Sequence, residues 1–474
     1  MSQHSSIHWF RQDLRCNDNP ALYAATQAGP VLPLYHQEEN VPSTDQIGGA
    51  GQVWLHQSLS ALNTNLDNKL CLTKGLIESI LPKLAEQYHI KSVYWNHCSE
   101  PWRIKQDAQL KQTLEANGIS VHIHNGSYLW SASEINKDDG TPYRVFTPFY
   151  RKGCLNATSP RKPLPDASQS AWINAATEGC TLDDLCLIPK QNWHKPMLKG
   201  WNPGEKGALQ QLNQFTENGI HHYKEGRNFP SQPYVSRLSP HLHWGELSPN
   251  QAWHAVEEKA AAKDIDHFRS ELGWREFSAY LLHHNPNLQH TNLQSKFDRF
   301  PWNENPEHLT AWQRGKTGIP IVDAGMRELY QTGYMHNRVR MIVGSFLVKN
   351  LRLHWKHGEA WFRDCLLDAD HANNSASWQW IAGCGADAAP YFRIFNPISQ
   401  GNKFDADGTY TRRFVPELSH LPNAFLFNPW EAPALVLQEA GVALGETYPH
   451  PIVDLKQSRE EALAAFTSLK DQAK

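Results

Sequence analysis

The sequence predicts two domains of different class: a doubly wound parallel α/β domain over residues 1–130 and an all-helical domain over 201–474, joined by a connector at 131–200. Three observations predict this. Short β-like runs alternate with helical runs through the first 130 residues, the pattern that builds a parallel sheet. Prolines at 142, 148, 160, 163, 165, 189 and 196 then interrupt any periodicity, which reads as a long connection over the surface. From about 201 the pattern is helical to the end, with Pro and Gly punctuation.

In chain order, IHWF (7–10) is the first strand, and Asp18 or Asn19 before Pro20 starts the helix PALYAATQAG. The strands VLPLYH (31–36), KLCL (69–72), SVYW (92–95) and ISVHIH (119–124) follow. Between them lie QVWLHQSLSALNTNL, LIESILPKLAEQYHI and RIKQDAQLKQTLEANG, each with apolar residues at helical spacing. No G-x-G-x-x-G follows the first strand, so the sheet is not expected to hold a dinucleotide in the usual way.

Charge is nearly balanced at −3, so any nucleic-acid role must rest on a local patch. One candidate runs from His336 to Arg363: Arg338, Arg340, Lys349, Arg352, Lys356 and Arg363 against a single acid, Glu359. Its ordinary alternative is a solvated helix face. The eight cysteines form no Cys-x-x-Cys pair, so reduced thiols in a cytoplasmic protein are expected. No metal-ligand spacing appears. MSQHSSIHWFRQD lacks a basic start followed by an apolar run, and no apolar stretch approaches bilayer length.

Four segments of the helical half concentrate chemistry. DADHANNSASWQWIAGCGADAAPYFRIFNP (368–397) packs two aspartates, an Asn pair, two tryptophans and a Pro-Tyr-Phe-Arg run into one stretch, suited to a pocket for something flat, polar and redox-active. ELGWREF (271–277) places Glu271, Trp274 and Arg275 at i, i+3 and i+4 of one helix. In MHNRVRMIVGSFLVKNL (335–351), Asn337 and Met341 share a face above a core stripe of Val339, Ile342, Val343, Phe346 and Leu347, with His336 flagged beside them. YKEGRNFPSQPYVSRLSPHLHWGELSP (223–249) has the Ser, Pro and Gly turn chemistry that turns backbone N–H groups toward phosphate. Taken singly, these segments also fit a surface ion pair, a buried Met beside a capping Asn, and a large aromatic core.

These segments together resemble the DNA photolyase and cryptochrome family, and within it the prokaryotic cyclobutane pyrimidine dimer photolyases of class I or class III. WFRQDLRCNDNPAL (9–22) is similar to the family's N-terminal signature. The resemblance implies a helical domain that binds FAD and DNA, and an α/β domain that carries an antenna chromophore. It implies FAD contacts at Tyr223, Ser236, Arg237, Leu238, Ser239, Arg275, Arg340, Asp368, Asp370 and Asn374, with Asp368 and Asp370 pairing with Arg340. Val235 stands where many relatives have Thr. It implies a lesion pocket of Glu271, Trp274, Asn337, Met341 and Trp380, and phosphate contacts at Arg227, Arg338, Arg393 and Lys403. Trp378, Trp355 and Trp302 match the electron-transfer triad.

The implied activity is light-driven repair of cyclobutane pyrimidine dimers, by electron transfer from excited reduced FAD to a flipped-out dimer. The implied protein is a monomer, and its antenna is methenyltetrahydrofolate rather than 8-hydroxy-5-deazaflavin. A blue-light photoreceptor cryptochrome is the alternative. Against it stand Asn374, where plant cryptochromes place Asp and animal ones Cys, and a tail too short for a signalling extension. Met341 speaks against a 6-4 photolyase, which carries histidines at the positions of Asn337 and Met341.

Overall fold

The parallel sheet forms because its inner strands are buried on both faces and each strand but the last is followed by a helix. The computed structural model describes residues 4–388 and 392–471; Pro390 and Tyr391 of the Pro-Tyr-Phe-Arg run lie outside the described residues. Strands β1 (Ser6–Phe10), β2 (Val31–Glu38), β3 (Cys71–Gly75), β4 (Ser92–Asn96) and β5 (Ser120–His124) pair in parallel in the order β3-β2-β1-β4-β5. Helices α1 (Pro20–Ala28), α2 (Gly49–Asn65), α3 (Ile77–Gln87) and α4 (Pro101–Ala116) alternate with them. β1 is central and buried along its whole length.

Asn19 rather than Asp18 caps α1, its side chain accepting from the Leu22 N–H at 3.1 Å. Asp18 instead takes φ 50° and receives Arg161, Leu164 N–H and Ser248. The third strand begins two residues later than KLCL suggests. Asp67 and Asn68 turn the chain at positive φ, and the Asn63 side chain holds the Leu70 N–H, so 67–70 is a turn.

The connector does more than cross the surface. Phe146, Phe149 and Tyr150 enter the core beneath the long helix α5 (Ala262–His284), and Trp172 bridges to Val31 at the start of β2. Beyond it, the helical domain gathers α5, α6 (Asn337–Ser345), α7 (Trp355–Cys365) and α8 (His371–Ala382) around one cavity. The expected stripe of α6 and its continuation, Val339, Ile342, Val343, Phe346 and Leu347, is buried.

The basic run at 336–363 is not a patch. Lys349 is buried and donates to the Ala382 carbonyl at 2.7 Å. Arg340 pairs with Asp368, Arg352 with Glu461, and Arg363 donates to the Thr44 carbonyl. Lys356 donates to the His290 carbonyl. Helical periodicity scatters these six cations around several faces, and only Arg338 and Arg340 reach the cavity.

The two domains meet over buried charge. Glu246, fully buried, accepts from Trp54 Nε1 at 3.0 Å, the Gly204 N–H at 2.7 Å and Ser58 Oγ, and bonds His241. Arg15, also fully buried, donates to the carbonyls of Gly126 (2.7 Å), Gly245 (2.9 Å) and Asp18 (2.8 Å). Between them Gly245 holds φ 66°, and a β-carbon there would lie 2.1 Å from the Gln12 carbonyl oxygen. Glu246→Ala should strand the donors of Trp54, Ser58 and Gly204 without an acceptor. The expected loss is about 3–5 kcal/mol of unfolding free energy by urea titration.

Candidate functional site

A cavity of about 420 Å³ opens between α5, α6, α7 and α8. Its wall collects Arg227, Glu271, Trp274, Asn337, Arg338, Arg340, Met341, Asp368, Asn374, Trp378 and Trp380. Eleven residues singled out from separate sequence segments therefore share one space.

On α5 the cavity face is Glu271, Trp274, Ser278 and Leu281, a helical stripe. Trp274 stacks on Phe146 with ring centroids 3.8 Å apart and 11° between planes, which fixes the indole. Glu271 receives Arg227 Nη2 at 2.8 Å, and His267 bonds the same guanidinium at 3.0 Å. Burial raises the Glu271 carboxyl above its usual range, while Arg227 pulls it down; the net shift is upward. Arg227, expected on a phosphate, thus stands in the cavity wall with a carboxylate partner.

Arg275 does not share that face. It turns from the cavity to donate to the Ser127 carbonyl at 2.6 Å and lies 4.8 Å over the Tyr128 ring. The i+4 spacing from Glu271 puts it on the flank of the stripe, where the chain entering the connector offers a carbonyl.

On the opposite side, Arg340 binds both oxygens of Asp368, at 3.1 and 2.9 Å, as expected. Asp370 does not join the pair. It caps α8 by accepting the Asn373 N–H at 2.8 Å and lies 3.9 Å from His243 Nδ1. Burial pushes this carboxyl up, but His243 and the cap more than offset it, so the net shift is downward. An aspartate two residues from another, on an extended approach to a helix, takes the N-cap role first.

Asn374 donates through Nδ2 to the carbonyl (3.0 Å) and the carboxylate (3.1 Å) of Glu359, which leaves its own oxygen as an acceptor. Glu359, the one acid in the basic run, is thus the residue that orients Asn374, a contact the sequence did not mark. Phe146 was also missed; it lies in the aperiodic connector, where no pattern marks it. Asn337 heads α6 behind its cap His336, which accepts from the Arg338 N–H at 3.2 Å. Burial and the nearby Arg227, Arg338 and Arg340 push His336 down to about 3, so it is a neutral cap rather than a proton carrier.

The three candidate conduits run outward from the cavity. Trp378 and Trp355 are buried and Trp302 is half-exposed. A β-carbon at Gly358 would lie 2.1 Å from the Trp378 ring, so α7, which begins at Trp355, needs glycine for the indole to lie against it. The His354 ring lies 5.6 Å from Trp355 and 5.0 Å from Trp302, filling the space between them.

The loop at 234–239 lies outside the cavity wall. Arg237, at φ 53°, places its guanidinium 4.2 Å over Trp201. Leu238 and Tyr223 are buried in the core, Ser239 begins the helix Ser239–His243, and Ser236 Oγ accepts the Leu238 N–H. Among the described residues the N–H groups of Tyr234, Val235, Ser236 and Arg237 donate to no protein acceptor. A row of free backbone donors of this kind suits a diphosphate. Arg393 shares a smaller adjoining hollow with Trp274 and Trp380, and Lys403 is exposed with its ammonium 5.2 Å over Phe404.

A parallel α/β domain docked on a helical domain, with an open cavity walled by indoles and ion pairs, defines a protein with a site suited to planar ligands. Residues 268–468 match the family model for the FAD binding domain of DNA photolyase, and residues 6–168 match that for DNA photolyase. The chain is 47% identical to a deoxyribodipyrimidine photo-lyase of Agrobacterium fabrum, covering 98% of both chains. It is 35% identical to Cryptochrome-1 of Arabidopsis thaliana, covering 98% of this chain and 70% of that one. A crystal structure of a bacterial class III photolyase from Agrobacterium tumefaciens superposes with a TM-score of 0.95 at 46% identity, over 99% of this chain and 98% of the other. The chain belongs to the DNA photolyase family.

Proposed function

We propose that this protein is a deoxyribodipyrimidine photo-lyase of the class III type, which splits cyclobutane pyrimidine dimers in DNA under light. The observation that carries the reading is the shared cavity, where Trp274 and Trp380 face a space edged by Glu271, Asn337 and Met341 and floored by Asn374 and the Arg340–Asp368 pair. A dimer flipped out of the duplex presents two flat faces and several carbonyl oxygens. Trp274, held by Phe146, offers its open face to one pyrimidine, and Trp380 stands on another side. Glu271, which burial shifts upward against the pull of Arg227, borders the space where a pyrimidine would lie and, with Asn337, favours the charge that develops there in a water-poor site.

The residues suit FAD. Arg340, paired with Asp368, gives the floor a fixed donor set, the Asn374 oxygen is free to accept from the ring, and the N–H groups of 234–237 are open to the diphosphate. When bound, FAD supplies the light-driven electron that opens the cyclobutane ring. Trp378, Trp355 and Trp302 form the route by which external reductant replenishes that electron. The repair reading is favoured over a photoreceptor by higher identity to the photo-lyase and by the complete set of cavity residues. The reading takes the protein as a monomer acting in the cytoplasm; among the described residues no helix is long and apolar enough to cross a membrane.

The antenna is proposed to be methenyltetrahydrofolate. A second cavity of about 310 Å³ lies between the domains, lined by Tyr128, Trp130, Tyr280, His283 and Glu276 among others. Glu276 is buried and one carboxylate oxygen accepts the Leu129 N–H at 3.0 Å, while the other lies 3.6 Å from the Arg275 guanidinium and accepts no hydrogen bond. A pterin edge carries an amino group beside a ring N–H and can meet that oxygen, whereas a deazaflavin dione edge offers a single N–H.

Three variants test these roles. Glu271→Ala should lower dimer repair per absorbed photon and weaken dimer binding modestly. A hydrogen bond to a charged group contributes about 1.5–3 kcal/mol, more of it once the ring carries the electron. Wild-type yield in that variant, or equal repair in light and dark, would refute the assignment. Trp302→Phe should fail to accumulate reduced flavin under light with a thiol, while enzyme reduced beforehand still repairs; normal photoreduction would remove Trp302 from the route. Glu276→Gln should lose folate absorbance while retaining flavin. Burial raises Glu276 from 4.5 to about 7, so its stabilising, protonated form is full below about 4.5 and is lost as pH rises toward about 7. The wild type should therefore lose ~3 kcal/mol more than Glu276→Gln across that window in pH-dependent denaturation.

A further inference from the structure

We infer that Phe229 and Phe404 form a stacking shelf for a nucleotide flanking the dimer on the damaged strand. The inference rests on the repair reading above. Phe229 is 38% exposed, one of few large apolar side chains so placed. A mobile loop does not account for it. The Phe229 N–H donates to the Gly226 carbonyl at 3.0 Å, and its own carbonyl accepts the Gln232 N–H at 3.1 Å, so two successive turns hold the ring outward. Its neighbour is Phe404, with ring centroids 6.1 Å apart at 65°.

Cations surround this pair. The Arg338 guanidinium lies 4.4 Å over the Phe404 ring and the Lys403 ammonium 5.2 Å over it. Arg338 also lines the lesion cavity, where it contacts Met341 Sδ at 3.7 Å, and it bonds Asn228, the residue before Phe229. The shelf is thus one guanidinium away from the cavity mouth. Among the described residues neither Arg338 nor Lys403 has a carboxylate partner, in contrast to Arg227 on Glu271. Burial and the positive charge of Arg227 hold Arg338 below its usual range, the mark of a guanidinium without its counter-ion.

An exposed ring on a rigid turn, braced by a second ring and bordered by unneutralised cations, matches the chemistry of single-strand binding: a π-face for the base, a cation for the phosphate. Two rings offer the area of one nucleotide, well short of a stable protein interface. Strand continuity selects the occupant. A dimer in the cavity brings its neighbouring nucleotide to within a phosphodiester of Arg338, and hence onto Phe229.

The test compares two probes, a bare thymine-dimer dinucleotide and a single-stranded decamer with the dimer at its centre, by equilibrium binding in the dark. In wild-type protein the flanking nucleotides should raise affinity. In Phe229→Ala that increment should shrink by about five- to 150-fold, the range expected for loss of one base–aromatic stack. Phe229→Trp should restore it. The salt dependence of decamer binding should keep its slope, since no charge is removed. An undiminished increment in Phe229→Ala, or an equal fold loss on both probes, would overturn the shelf. Failure of the wild type to bind either dimer probe would instead overturn the repair reading.

Discussion

Two buried charges with ligands drawn from both domains determine the rest of this structure. Glu246 and Arg15 are each removed from water, so each must be ligated in full or cost several kcal/mol. Glu246 takes its donors from α2, from Gly204 at the start of the helical domain and from His241. Arg15 takes carbonyls from the end of the sheet domain and from Gly245. These requirements can be met together in one docking of the domains. The docking then fixes the short helix Ser239–His243, and with it His243, which stands beside Asp370. Asp370 caps α8, and α8 carries Asn374, Trp378 and Trp380 into the cavity. Site geometry is therefore inherited, through one cap, from the electrostatics of the seam.

Within the cavity, charge is neutralised locally where rigidity is needed and left open where a ligand is to bind. Arg340 with Asp368, and Arg227 with Glu271, are closed pairs in the wall. Asn374 is held by Glu359 at its amide end, so its orientation is set before any cofactor arrives. Met341 and the indoles of Trp274 and Trp380 supply uncharged, largely apolar surface. This is preorganisation: the groups that meet a developing charge already hold their positions through partners outside the reaction.

Periodicity and turn chemistry made much of this legible in the sequence. The five strands, the start of α1 at Pro20, the core stripe of α6 and the clustering of residues from four segments into one cavity all follow from local pattern joined to family resemblance. The departures share a cause. The basic run reads as a patch by spacing and Asp370 is expected on Arg340 by resemblance, but the partners these residues meet lie far away in the chain: Thr44, Glu461 and His243. Spacing along a helix gives a direction, whereas the group met in that direction is a tertiary fact. Glu359 and Phe146 were missed for the same reason, since one looks like an ordinary helix acid and the other lies in a segment without period.

The contrast between paired and unpaired cations also resolves how a protein of net charge −3 can address a polyanion. Most basic residues of the helical domain that looked available in the sequence are used by the fold itself. Among the described residues Arg338, Arg393 and Lys403 have no carboxylate partner, and all three stand near the cavity mouth or beside the indoles. A few uncompensated charges at the rim of a low-dielectric opening produce a local field that overall composition conceals. Such a field attracts any strand through its phosphates without reading sequence. Selectivity must then come from what the cavity accepts, and the lining that faces its space includes Trp274, Met341 and Trp380.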